Sequence, residues 1–130
     1  MDRGMTMITP LKRVRGLGSA KEGAGHFLQQ RLTAVANIIL IPFAVGLFTK
    51  LAGADLGTVK ATLSHPGIAI AVVVLILSVC VHMRIGMQII IEDYVHGEGA
   101  KMLLLLANTL YVTAIAAVAI FAVLTLSFGS

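Results

Sequence analysis

The sequence predicts an all-α membrane protein with three transmembrane helices, and three observations predict it. Hydrophobic residues make up 58% of the 130 residues and charged ones 12%, against roughly 45–50% and about 25% in soluble domains. The ten basic and six acidic side chains are unevenly spread: Leu32–Thr49, Ala61–Met83 and Met102–Ser130, of 18, 23 and 29 residues, contain no Asp, Glu, Lys or Arg. A charge-free apolar run of about 18 residues or more is long enough to cross the hydrocarbon. Third, three spans of ~20 residues take up about half the chain, which leaves no stretch long enough for a separate soluble catalytic domain. Any chemistry is therefore expected in or at the bilayer.

The elements follow in order. Residues 1–30 are polar, glycine-rich and basic, with Arg3, Lys12, Arg13, Arg15 and Lys21 against Asp2 and Glu22. No apolar stretch or small-residue cleavage site closely follows these charges, so the segment reads as a flexible cytoplasmic arm and not as a secretory signal. Residues 31–130 form the three-span membrane domain. The first span covers about 32–50, with Pro42 inside it, where a missing amide hydrogen bond predicts a kink. Lys50 to Pro66 reads as a loop of mixed character. The second span covers about 67–91 and the third about 102–126, joined by a short turn, Glu92–Lys101, that contains Gly97 and Gly99. The third span carries small residues such as Ala116, Ala119 and Ala122, which suit close helix contact. Three helices can bury only part of their surface on one another, so the expected outcome is a half-core completed by another membrane subunit.

Orientation follows from the basic residues. Six Lys and Arg lie at or before Arg31, Lys50 and Lys60 lie in the first loop, Lys101 in the second, and none at the C-terminus. The excess marks the cytoplasmic side. The N-terminus and the Glu92–Lys101 turn are thus expected in the cytoplasm, and the first loop and C-terminus outside. The net charge of +4 is read as this topology signal and not as a nucleic-acid footprint, because no recognition pattern accompanies it. The single cysteine, Cys80, excludes a disulfide within the chain.

The second span holds the residues that carry chemistry. At about 1.5 Å per residue, His82 lies ~22 Å from Gly67 and ~18 Å from Tyr94, near the middle of a hydrocarbon layer about 30 Å thick. An ionisable group there is costly and needs a partner. Ser78, His82, Gly86, Ile89 and Asp93 share one helical face. Gly86 removes a side chain one turn beyond the histidine, where a flat macrocycle or a neighbouring helix would press closest. An imidazole at that depth fits axial ligation of a haem iron; a hydrogen bond across the bundle is the alternative. Arg84 points away from His82, towards a propionate, an acidic side chain, a quinone carbonyl or, by snorkelling, water. Asp93 and Tyr94 end the span at the cytoplasmic surface, where a phenol can donate to a quinone carbonyl and a carboxylate can hold it or relay protons; interfacial tyrosines also occur as plain belt residues. Arg31, the last charge before the first span, is an anchor or meets an anionic cofactor edge. His26 precedes that span; His65 and His96 fall in loops and read as solvated, His96 being near enough to Tyr94 to supply a proton.

His82, Gly86 and the Asp93-Tyr94 pair, with twelve residues from histidine to tyrosine, resemble the signature of the membrane-anchor D subunits of succinate dehydrogenase. Val95, His96 and Gly97 are similar to the alphaproteobacterial and mitochondrial branches, and the run from Gln30 through Arg31 and Thr33 to Ala34 resembles the start of the family's first span. The likeness covers about residues 26–126. The family's C subunits differ: this chain has no His-Arg-Ser/Thr-Gly before its first span and no Gly-x-Arg-His after the second-span histidine. The resemblance implies that the three helices complete a haem-binding bundle with a second anchor, the C subunit. It implies haem b with His82 as one axial ligand, Arg31 at a haem propionate, and ubiquinone at Tyr94 supported by Asp93. It further implies an iron–sulfur subunit and a flavoprotein subunit carrying the clusters and FAD, so that succinate oxidation lies outside this chain. The implied location is a bacterial inner membrane in preference to the mitochondrial one. To Arg84 the resemblance assigns no role. Anchors of fumarate reductase are the nearest rival, and a non-redox structural or assembly membrane protein is the rival of a different class.

Overall fold

In a computed structural model of the chain, residues 20–129 are described, with side chains from Gly23 onward. Most of the expected arm, residues 1–19, lies outside them. Four helices follow one another: α1, Ala20–Leu51; α2, Leu56–Leu63; α3, Pro66–Tyr94; and α4, Glu98–Phe128. Three of them, α1, α3 and α4, are long and apolar enough to cross a membrane.

The long helices overrun the expected spans at both ends, because hydrophobicity marks where the hydrocarbon lies and not where a helix stops. Helix α1 begins at Ala20, twelve residues before Leu32, inside the segment expected to be an arm. Ala20, Lys21 and Glu22 are good helix formers, and the two glycines that follow, Gly23 and Gly25, each cost only about 1 kcal/mol relative to alanine. His26, Gln30 and Arg31 therefore stand on helix and not in coil. Helix α1 continues through Pro42 without interruption. Helix α3 runs on to Tyr94, and the expected ten-residue turn shrinks to Val95, His96 and Gly97. Val95 and Gly97 adopt extended backbone, which stops α3 and lets α4 start at Glu98.

The stretch read as a mixed loop contains α2. Gly53, with φ +78°, reverses the chain after α1, a conformation that glycine adopts without steric cost. Asp55 then caps α2: its carboxylate accepts from the Thr58 hydroxyl and, at 3.4 Å, from the Thr58 amide. The Thr58 hydroxyl, followed by that amide, holds the Asp55 carboxyl below its ordinary range. Ser64 closes the other end, its hydroxyl donating to the Lys60 carbonyl at 2.7 Å with the Ser127 carbonyl of α4 3.2 Å away as a weaker second acceptor. His65 is the N-cap of α3, its Nδ1 accepting from the Gly67 amide at 3.2 Å. It is thus a capping residue as well as a loop one.

Helix α3 is the middle of the layer: α1 packs on one side of it, α4 on the other, and α2 rests against α3 and α4 at one end. The covered positions are few, among them Ala44 and Leu47 of α1, Cys80, Ile85 and Ile91 of α3, and Val112 of α4. Only 17% of the most apolar stretch of α3 is buried within the chain, and 6% of those of α1 and α4. Leu32, Ile39, Leu103, Val118 and Phe121 are each 66–72% exposed. Faces of that composition require lipid or other apolar protein around them.

Candidate functional site

The polar side chains of α1 and α3 meet one another, in antiparallel register. Asn37 opposes Ser78, Thr33 opposes His82, and Gln30 opposes Gly86, so that each step of four along α3 meets a step of three or four back along α1. This is the face on which the sequence grouped Ser78, His82 and Gly86.

At the first rung the buried Ser78 hydroxyl donates to Asn37 Oδ1 at 2.7 Å, with the Thr33 carbonyl 3.2 Å away as a weaker second acceptor. Burying an amide in hydrocarbon without a partner would be costly, and serine removes that cost at the acceptor. At the second rung Thr33 Oγ1 lies 3.1 Å from His82 Nδ1. The same hydroxyl bonds back to the Gln29 carbonyl at 2.8 Å, with the Gln30 carbonyl at 3.2 Å. At the third rung a Cβ built on Gly86 would stand 3.5 Å from Gln30 Nε2, an ordinary contact. Gln30 Oε1 is buried there with no hydrogen-bond partner among the described residues.

The hydrogen bond to Thr33 uses one ring nitrogen of His82. The half-buried ring borders a groove of about 560 Å³ whose other walls are Ala34, Asn37, Ile38, Ile41 and Pro42 of α1. Among the described residues nothing bonds Nε2. Nor do they contain a group of three or more His, Cys, Asp or Glu that could hold a metal ion. A lone imidazole beside an apolar groove, with one nitrogen engaged and the other unbonded among the described residues, suits a metal whose remaining ligands would come from a macrocycle and another chain. The residues present fit such a group.

The other expected site residues lie apart. Tyr94 is 77% exposed, and neither it nor the exposed Asp93 makes a side-chain hydrogen bond among the described residues, so Asp93 does not hold the phenol directly. The bond at this end joins Gln88 to Glu92 at 2.9 Å. Arg31 is exposed on α1, its guanidinium 5.0 Å over the Phe27 ring. Arg84 faces α4: its Nε donates to Thr109 Oγ1 at 3.4 Å, and its carbonyl accepts from the Asn108 amide at 3.0 Å. That is a further alternative to the partners considered for it. Beside it Met83, Met87, Ile91, Tyr111 and their neighbours line a second apolar groove of about 510 Å³. His26 and His96 are exposed.

Sequence reasoning missed Thr33 and Asn37 as partners of the second span. A signal existed: each helix carries two polar residues four apart in an apolar run, Thr33 and Asn37 on one, Ser78 and His82 on the other.

Residues 5–127 match the family of succinate dehydrogenase/fumarate reductase transmembrane subunits. The chain is 29% identical over 126 residues to the succinate dehydrogenase hydrophobic membrane anchor subunit of Paracoccus denitrificans, covering 97% of each chain. It is 28% identical over 114 residues to the subunit of the same name from Rickettsia bellii, covering 88% of this chain and 83% of that one. No solved structure matches it.

Proposed function

Because this chain belongs to the family of succinate dehydrogenase/fumarate reductase transmembrane subunits, and is thus a multi-pass membrane anchor, we propose that it serves a succinate:ubiquinone oxidoreductase in a bacterial inner membrane. In this reading it attaches the flavoprotein and iron–sulfur subunits to the bilayer and forms a bundle with a second anchor subunit. His82 ligates haem b through Nε2, Arg31 meets a haem propionate, and Tyr94, with Asp93 nearby, binds the quinone head group. Both relatives carry succinate dehydrogenase in their names, which favours succinate oxidation over fumarate reduction.

One observation carries the reading: a histidine deep in a membrane span has Nδ1 engaged by Thr33 and its ring beside an apolar groove. When bound, haem supplies a one-electron carrier within the hydrocarbon. The chain's own residues supply the donor nitrogen at His82, the apolar walls that exclude water, and a phenol at the end of α3. The hydroxyl of Tyr94 is free to donate to a quinone carbonyl. The uncovered outer faces of α1 and α4 provide the area for the second anchor. Oxidation of succinate belongs to the flavoprotein, with FAD, and electrons reach the quinone through the iron–sulfur subunit.

The test is to purify the complex through a tag on this chain and record its reduced-minus-oxidised spectrum. Co-purification of flavoprotein, iron–sulfur and second anchor subunits with a b-type haem band is expected, and His82→Leu should remove or alter that band. An isolated chain with no redox partners would overturn the proposed function. An unchanged spectrum and haem content in His82→Leu would overturn the assignment of the ligand.

A further inference from the structure

We propose that Thr33 is a positioning residue that fixes the tautomer of His82, accepting a hydrogen bond from Nδ1–H and so leaving the lone pair on Nε2. This rests on His82 being a haem ligand and extends that reading to the other helix.

A threonine hydroxyl has one proton and two lone pairs. The shortest contact of Thr33 Oγ1 is to the Gln29 carbonyl at 2.8 Å, an acceptor that must receive a proton. The contact to His82 Nδ1 is longer, at 3.1 Å. With its proton on Gln29, the hydroxyl can only accept from the ring, which places hydrogen on Nδ1 and a lone pair on Nε2. In the opposite assignment Nε2 would carry the hydrogen, and among the described residues no group accepts a hydrogen bond from Nε2. An orphaned N–H is rarer and costlier than an unused lone pair.

The rotamer adds a second constraint. Back-bonding to the preceding turn is one of the few side-chain conformations that a β-branched threonine adopts in a helix. The oxygen is therefore held against the ring by α1 itself. Within hydrocarbon no water is available to take over the contact. An acceptor on Nδ1–H also makes the other nitrogen a stronger donor, which favours the ferric over the ferrous ion. The effect of Thr33 should therefore appear in the potential as well as in the binding of the group.

The experiment compares Thr33→Val and Thr33→Ser with His82→Leu in the assembled complex, reading haem retention, midpoint potential and the low-spin ferric electron paramagnetic resonance signal. Thr33→Val keeps the shape and removes the acceptor. It should weaken haem retention about 10- to 100-fold, raise the potential and change the resonance signal. Thr33→Ser should restore all three. Thr33→Ala removes the same acceptor with less bulk and gives the same reading if the valine variant does not assemble. A normal potential and signal in the valine or alanine variant, with haem lost in His82→Leu, would overturn the role of Thr33 and leave the ligand assignment standing. Equal shifts in the serine and valine variants would overturn it in favour of a packing role. A normal haem spectrum in His82→Leu would remove the ligand assignment itself, and the inference with it.

Discussion

A residue whose polar atom has no partner inside its own chain can be altered with little effect on that chain, which makes Tyr94 a clean place to test the proposed quinone site. Its ring is 77% exposed and its hydroxyl makes no hydrogen bond among the described residues. Tyr94→Phe therefore takes nothing from α3 or its packing. One lost hydrogen bond is worth roughly 0.5–1.5 kcal/mol net, or about 2- to 13-fold, and more if the bond strengthens as charge develops on the quinone. Ubiquinone reduction by the Tyr94→Phe complex should fall by at least that factor. Succinate oxidation with a soluble artificial acceptor should stay near normal. A parallel fall in both activities would mark the tyrosine as an interface residue, and no fall in either would put the quinone elsewhere. Gly86 differs from Tyr94 in having a neighbour within the chain. The sequence read it as room for a flat macrocycle or a neighbouring helix. Within the chain its neighbour is Gln30, and a Cβ would meet Gln30 Nε2 at an ordinary 3.5 Å. Among the described residues nothing excludes a Cβ there, so a requirement for glycine would come from beyond them.

At the scale of elements, the pairing of α1 with α3 depends on polar contacts in a surrounding where apolar burial contributes little, since lipid is as apolar as leucine. Replacing Asn37 with leucine removes the acceptor of the Ser78 hydroxyl, which keeps only the Thr33 carbonyl at 3.2 Å. Bonds of this kind average about 0.6 kcal/mol in a bilayer and reach about 1.7. Asn37→Leu should therefore weaken the α1–α3 pairing by about that amount, and Ser78→Ala should add little on top of it, because the two changes break the same bond. Denaturation of the complex in mixed micelles measures this. Fully additive effects would show that the pair is not coupled. The same two helices show what the sequence could disclose. Runs without charge locate the spans, because transferring charge into hydrocarbon is costly whatever the neighbours do. The exact ends were not legible, since extended backbone at Val95 and Gly97, and not a change in polarity, stops α3 and admits α4. Helix α2 was missed because eight residues carry too little periodicity to stand out; its readable trace was Asp55 three residues before Thr58. Depth and face pointed to His82. Its partner did not emerge, because Thr33 lies 49 residues away and only packing brings the two together.

For the whole molecule, three membrane helices place the two ends on opposite sides, and the functional reading depends on which side is which. The N-terminal end of α1, the C-terminal end of α3 and the turn Val95–Gly97 lie on one side; α2 and the end of α4 lie on the other. Tyr94, Asp93 and Arg31 belong to the first side or the membrane near it. If water-soluble subunits deliver electrons to a quinone at Tyr94, that side must be the cytoplasm. Independently, six basic residues at or before Arg31 face Lys50 and Lys60 across the first span, and an excess of Lys and Arg marks the cytoplasmic side. The basic excess and the proposed quinone site thus point to the same side. A reporter fused after Ser130 that is active only outside the cytoplasm should therefore be active, and one that matures only in the cytoplasm should be silent. A reporter inserted after His96 should behave in the opposite way. The paired insertions matter because a single fusion can perturb the weakly charged end of α4. Inversion at both positions would leave the haem ligand untouched, since the middle of the membrane is equally far from either face. It would put Tyr94 on the side away from the electron-donating subunits, and the quinone proposal would fall with it.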